Sequence, residues 1–270
     1  MNNILPCNDK NSIDKVAFIL TFLEPINDSM INQAINLHQT NRKIFDELPR
    51  MQLQNTLTLQ VGEQVQFTPN SPLALGGVIF DKVLPDGKSE WFINISNGSI
   101  IIGNGKYTRW DNIWEQAKNY ILAFSSIFQG LTLASVSIEY ADVFTIINPT
   151  DKQWKNELFN QDSKLLPKYI WELDDFWHVH QGHFVNKDYK ILNNININYS
   201  KEDFTQQCKV VLSAQHRAIL SSPILLSESN ILAKEVETYM QSNHLLNKEV
   251  LCDLLSIDMC NNLNLRCNHV

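Results

Sequence analysis

Residues 15–22 (KVAFILTF) form a compact apolar run that predicts a strand. Beyond it, Asp28 or Ser29 is placed to cap a helix in which Ile31, Ala34, Ile35, His38, Phe45 and Leu48 recur at helical spacing until Pro49 stops it. Met51, Leu53, Leu57, Leu59 and Val61 alternate with polar residues as a strand would. A Pro-punctuated loop at residues 69–72 then leads to a further strand over 75–84. Pro85-Asp86-Gly87 predicts a turn, since Pro presets φ and Gly accepts a positive one. Asn97-Gly98, between strand-like residues 90–95 and 99–102, predicts a two-residue hairpin of type I′. Thr108 and Asp111 stand in a capping-box arrangement before a long helix with Trp110, Ile113, Trp114, Ala117, Ile121, Phe124 and Phe128 on one face, ended by Gly130. Residues 131–147 return as a long alternating strand.

After Pro149 the pattern partly recurs: a short helix over 153–160, strand-like segments at 169–185, 191–199 and 209–218, then a helical region over 228–262 with a break at 242–246. These elements predict an α+β fold, antiparallel sheets covered by amphipathic helices. The expected organisation is two similar halves, residues 15–149 and 150–270, packed as one unit behind a flexible N-terminus at residues 1–14. The second half carries the long terminal helices. No short period repeats, which argues against a solenoid or propeller.

Composition narrows the function classes. The apolar fraction of 44 % and charged fraction of 19 % are those of a folded chain. A net charge of -7 with no basic run argues against nucleic acid as a partner, because such binding relies on Lys and Arg replacing phosphate counterions. Residues 1–14 lack a basic segment followed by an apolar one, and apolar stretches such as 16–20 and 219–226 fall short of a bilayer span. No membrane association and a cytoplasmic location are therefore expected. Five cysteines, an odd number without a CxxC pair, read as free thiols of a reducing compartment. Abundant Asn and Lys with few Gly, Ala or Arg fit an AT-rich bacterial or phage genome.

Tyr107 and Trp110 open a helix, and residues 136–144 (VSIEYADVF) follow it as a strand. This segment resembles a sporadically distributed, functionally uncharacterised bacterial family of about 260 residues, which shows a Tyr-x-x-Trp helix start and an Arg-Tyr-Ile-Asn strand. Residues 243–264 (NHLLNKEVLCDLLSIDMCNNLN) are similar to that family's closing helices, which begin at a Leu-His pair. Glu139 stands at the family's Arg, and Ala141 and Asp142 at its Ile-Asn. The resemblance implies an architecture and a bacterial accessory or antiphage-defence setting, and no activity.

The densest candidate chemistry is Trp177-His178-Val179-His180-Gln181-Gly182-His183. On a strand His178 and His180 share a face, so two imidazoles can chelate a divalent metal while His183 joins across a bulge at Gly182, with Glu172, Asp174 or Asp175 as a fourth ligand. Cys252, Cys260, Cys267 and His269 are zinc-type residues at spacings unlike the short ligand pairs of structural zinc sites. The eight residues between Cys252 and Cys260 instead suit one buried helical face. Neither GxSxG nor a phosphate-loop spacing occurs. Trp91, Tyr107 and Trp110, and separately Trp171 and Trp177, are aromatic groups that would line a ligand pocket or an interface.

With no complete catalytic constellation, the expected function is a non-enzymatic binding or regulatory protein that recognises a protein partner or a small ligand. It needs no cofactor. The alternative is a metal-dependent hydrolase or nuclease built on His178, His180 and His183.

Overall fold

A computed structural model describes residues 3–8, 11–41, 45–56, 74–186, 189–201, 207–227 and 234–267. In chain order the elements are β1, Ile4–Pro6; β2, Ile13–Phe22; α1, Asp28–Thr40; β3, Arg50–Thr56; β4, Ala74–Val83; β5, Ser89–Ser96; β6, Ser99–Asn104; and α2, Trp110–Ala123. They continue with β7, Thr132–Ile146; α3, Trp154–Leu158; a 3-10 helix, Lys168–Trp171; β8, Trp177–Asn186; β9, Lys190–Lys201; β10, Cys208–Leu225; α4, Lys234–Leu254; and α5, Ile257–Asn262. The class is α+β, as the periodicities predict, and the ladders β1–β7, β3–β4, β4–β5, β5–β6, β8–β9 and β9–β10 are antiparallel.

The chain forms two compact units. One takes Ile19–Ala134 and Ser222–Ala233, the other Met1–Phe18, Ser135–Ser221 and Lys234–Val270. Their limits differ from the expected halves at 15–149 and 150–270, and β2, β7 and β10 each supply residues to both.

In the unit around residues 19–134 the strand order is β3-β4-β5-β6-β2. The β5–β6 hairpin turns at Asn97-Gly98 with Ser96 opposite Ser99, and Gly98 has φ +87°, which L side chains rarely adopt. Helix α1 packs on β4 and α2 on β6. His38 on α1 is buried, its ring stacked on Phe80 at 4.3 Å, and its Nε2 donates to the Leu48 carbonyl at 2.7 Å. Asp81 is likewise buried and takes both arms of the Arg50 guanidinium, at 2.6 and 2.5 Å.

Both helix starts and ends in this unit differ from expectation. Asn27, rather than Asp28 or Ser29, caps α1, its Oδ1 accepting from Met30 N at 3.0 Å. Arg109 is the N-cap of α2 and makes no side-chain cap bond, so Thr108 lies one residue too early. Each helix also stops before its apolar periodicity does: Phe124 and Phe128 are buried from the turns after α2 and Leu48 from the loop before β3, while the buried Phe45, beyond the end of α1, is itself helical. Burial demand, which does not require helical backbone, explains the overrun. Residues 57–61 and 69–72 lie outside the described residues.

In the other unit the order is β2-β7-β10-β9-β8, with β1 also on β7. The N-terminal residues expected to be flexible thus include a strand: Ile4 is buried opposite Ile146, and Asn3 donates to Glu157 at 3.0 Å. Three residues are too few to show a period. Residues 169–176, expected as strand, hold the 3-10 helix and a loop. The buried Lys155 amine fixes them by donating to the carbonyls of Ile170, at 2.8 Å, and Leu173. Burial lowers the pKa of that amine.

Helix α4 runs unbroken through residues 242–246. The polar residues there face the sheet and are bonded to it. Asn243 Nδ2 donates to the Val136 carbonyl at 3.2 Å, and His244 Nδ1 meets the Tyr140 hydroxyl at 2.8 Å. The chain breaks instead at Leu255-Ser256, where Ser256 caps α5 by accepting from Met259 N at 3.1 Å. Residues 228–233 lie outside the described residues.

Candidate functional site

Alternation decides which β8 side chains meet. Trp177 and Val179 are buried and Gln181, His183 and Val185 half-buried, whereas His178, His180, Gly182 and Phe184 are exposed. The β8–β9 register passes through Gly182 without a shift, so there is no bulge to turn His183 toward the other two. His178 and His180 share the outer face, 6.4 Å apart between ring centroids, and each ring faces a β9 amide, Asn196 at 3.4 Å and Asn194 at 2.7 Å. His183 lies on the inner face. Asp174 pairs with Lys152, and Asp175 accepts from Phe176 N at 2.7 Å. The expected three-histidine chelate is therefore not assembled.

The inner face carries a different constellation. His183 on β8, Asn193 on β9 and His216 on β10 stand directly opposite one another across the ladders. Asn193 Nδ2 approaches His183 Nε2 at 3.3 Å, Asn193 Oδ1 approaches His216 Nδ1 at 3.0 Å, and His216 Nε2 meets the Asn247 side-chain amide of α4 at 3.0 Å. Asn193, His216 and Asn247 are buried. Burial holds the His216 pKa down, to about 4, so the ring is neutral near pH 7. A neutral imidazole has one N–H. Every pair is satisfied if His216 Nδ1–H donates to Asn193 Oδ1 while Asn247 turns its NH2 toward Nε2. Amides do not relay protons as imidazoles do, so this row holds Asn193 and His183 in place rather than conducting charge.

The outer end of the row opens into a cleft of about 510 Å³. Gln181, His183, Val185 and Asn193 form its strand side. Leu246, Glu249, Val250 and Asp253, spaced along one face of α4, form the other, with Lys164 and Leu165 at the rim. Loop residues brace it: Ser163 donates to Asp253 Oδ2 at 2.6 Å, and Gln181 Nε2 donates to the Leu165 carbonyl at 2.7 Å. The cleft offers carboxylates, an amine, an imidazole and amides above an apolar base. Of its lining only His183 stands out in sequence. Glu249 and Asp253 carry an i, i+4 signal but read as an ordinary solvated helix face.

The aromatic candidates divide between the units. Trp91 is buried edge-on to Tyr120 at 5.6 Å, and Trp110 stacks on Trp114 at 5.9 Å beside half-buried Tyr107. In the other unit Trp171 and Trp177 pack on Phe159, at 6.5 and 6.0 Å, and Trp177 is buried. None of the five lines the cleft; Trp91 and Trp177 are buried in cores and Trp171 packs against one, whereas Tyr107 and Trp110 are half-buried.

The cysteines also depart from expectation. Cys252 and Cys267 form a disulfide, with Cα atoms 5.6 Å apart, leaving Cys7, Cys208 and Cys260 as free thiols. The break after α4 puts Cys252 and Cys260 on different helices, not on one helical face. His269 lies outside the described residues. No protein-family model, curated protein or solved structure matches this chain. No described helix is long and apolar enough to cross a membrane.

Proposed function

We propose that this chain is a binding protein whose cleft between β8, β9 and α4 takes a small ligand with both polar and apolar surface. The observation that carries the reading is the cleft's construction. Its volume suits a small molecule, and its polar wall is held from behind by the buried Asn193–His216–Asn247 row. Fixing those groups before binding lowers the ordering cost of binding. The dispersal of His178, His180 and His183 over two faces favours binding over the metal-dependent hydrolase reading.

Cytoplasmic location and a bacterial accessory or defence role belong to the same proposal. They rest on the resemblance of residues 136–144 and 243–264 to the uncharacterised family. The two segments of that resemblance meet in the structure, through Tyr140 and His244.

The test is native mass spectrometry of the chain purified from its host, with a thermal-shift screen against a metabolite library. A stoichiometric small molecule, or a stabilising hit whose effect is lost in His183→Ala and Glu249→Gln, is expected. A chain that carries nothing and responds to no library member would overturn the reading. So would a hit equally strong in both variants.

A further inference from the structure

Three sulfurs converge at the C-terminal end of the unit that holds the cleft. Cys252 comes from α4, Cys260 from α5 and Cys267 from the segment after α5, and their Sγ atoms lie within 4.8 Å of one another. Among the described residues no other set of three His, Cys, Asp or Glu side chains converges so. The disulfide accounts for two of them. Cys260, 1 % exposed, is the third, and its recorded hydrogen bond is a long S–H contact to the Leu255 carbonyl at 3.9 Å. Packing alone accounts for one buried thiol, not for its lying against two further sulfurs that arrive from separate elements.

We propose that, once the Cys252–Cys267 disulfide is reduced, Cys252, Cys260 and Cys267 together hold a thiophilic divalent cation of the zinc class. Tetrahedral zinc with Zn–S bonds of about 2.3 Å places its thiolates roughly 3.8 Å apart. The observed clustering meets that with small side-chain adjustments. A second cleft, lined by Asn261, Asn264, Leu265, Arg266 and Cys267, adjoins the cluster and supplies the entry path. Three thiolates and a divalent ion carry a net charge of about -1, and the guanidinium of Arg266 lines the same cleft.

The redox step balances with a dithiol as reductant. The dithiol gives two electrons and two protons to the disulfide and becomes a cyclic disulfide itself, leaving Cys252 and Cys267 as thiols. Cation binding then releases one proton from each of the three cysteines. Disulfide and metal are alternative states of the same sulfurs.

The full chain, reduced with a dithiol and stripped with a chelator, is titrated with Co²⁺ alone and then with Zn²⁺. One equivalent of cobalt with thiolate-to-metal charge-transfer bands and tetrahedral ligand-field bands is expected, displaced by one equivalent of zinc. Zinc should shield Cys252, Cys260 and Cys267 from alkylation, mapped by peptide mass, while Cys7 and Cys208 react as before. Losing a ligand should cost at least as much as losing its supports, roughly 10–100-fold in affinity. Cys260→Ser should therefore weaken zinc binding by that much, while its disulfide still forms on oxidation and reports a folded chain. No stoichiometric cobalt uptake, unchanged binding in Cys260→Ser, or protection limited to Cys252 and Cys267 would overturn the proposal.

Discussion

Two buried titratable groups set opposite pH demands on the fold. Asp142 is 1 % exposed with one recorded hydrogen-bond partner, the Ser12 hydroxyl at 2.6 Å. Burial raises its pKa from 3.8 to about 6, the Ser12 bond opposing. Folding therefore favours the protonated acid, a contribution present in full below the unfolded value of 3.8 and lost as pH rises through about 6. The loss is on the order of 3 kcal/mol. Asp142→Asn should raise stability at neutral pH by about 2–3 kcal/mol relative to wild type. The gain should shrink toward pH 4 in urea unfolding followed at fixed pH. His216 works the other way. Its pKa falls from 6.5 to about 4, so its contribution is present above 6.5 and lost as pH falls through 4. His216→Leu would strip Asn193 Oδ1 and the Asn247 amide of their His216 partner and should cost about 2–4 kcal/mol at pH 7. It should also reduce the acid-induced loss by roughly 3 kcal/mol, read from the same series. A sequence shows that a histidine is present but not that its ring is sealed between two amides, because the partners lie 23 and 31 residues away.

Among elements, helix interiors and hairpins were legible and their ends were not. The Asn97-Gly98 turn was placed to the residue but its type was not: φ is positive at Gly98 and not at Asn97, so the turn is not the expected type I′, which needs positive φ at both positions. The cap of α1, expected at Asp28 or Ser29, was misplaced by one or two residues and that of α2 by one, since several adjacent Asp, Ser, Thr or Asn side chains compete and only backbone geometry selects among them. Asn27→Ala should therefore cost about 1 kcal/mol, whereas Thr108→Ala should change stability by less than about 0.5 kcal/mol. Chemical denaturation of the two variants side by side checks this. The supposed break in α4 failed for a related reason: Asn243, His244 and Asn247 look like helix-breaking polarity until the sheet beneath supplies Val136, Tyr140 and His216 as partners.

At the scale of the whole molecule, the units are interleaved along the chain. The unit holding the cleft needs β2 and β7 beside β10, and these strands precede residue 150. Residues 150–270 made alone would expose the long edge of β10, and should aggregate or give the dispersion-poor spectrum of an unfolded chain. The full chain should give a dispersed spectrum, and a folded 150–270 fragment would show that the second half is autonomous. What the sequence determined by itself is the α+β class and the longer strands and helices, because periodicity and turn chemistry act over a few residues; the three-residue β1 and the 3-10 helix lay below that reach. It also singled out His183 as a candidate ligand, while the C-terminal cysteines read as core packing. Tertiary structure alone decided that His183 turns away from His178 and His180 toward Asn193, that Glu249 and Asp253 face it across a cleft, and that Cys252, Cys260 and Cys267 meet at one point. Strand register and helix placement are settled by burial summed over long-range contacts, which no local pattern encodes.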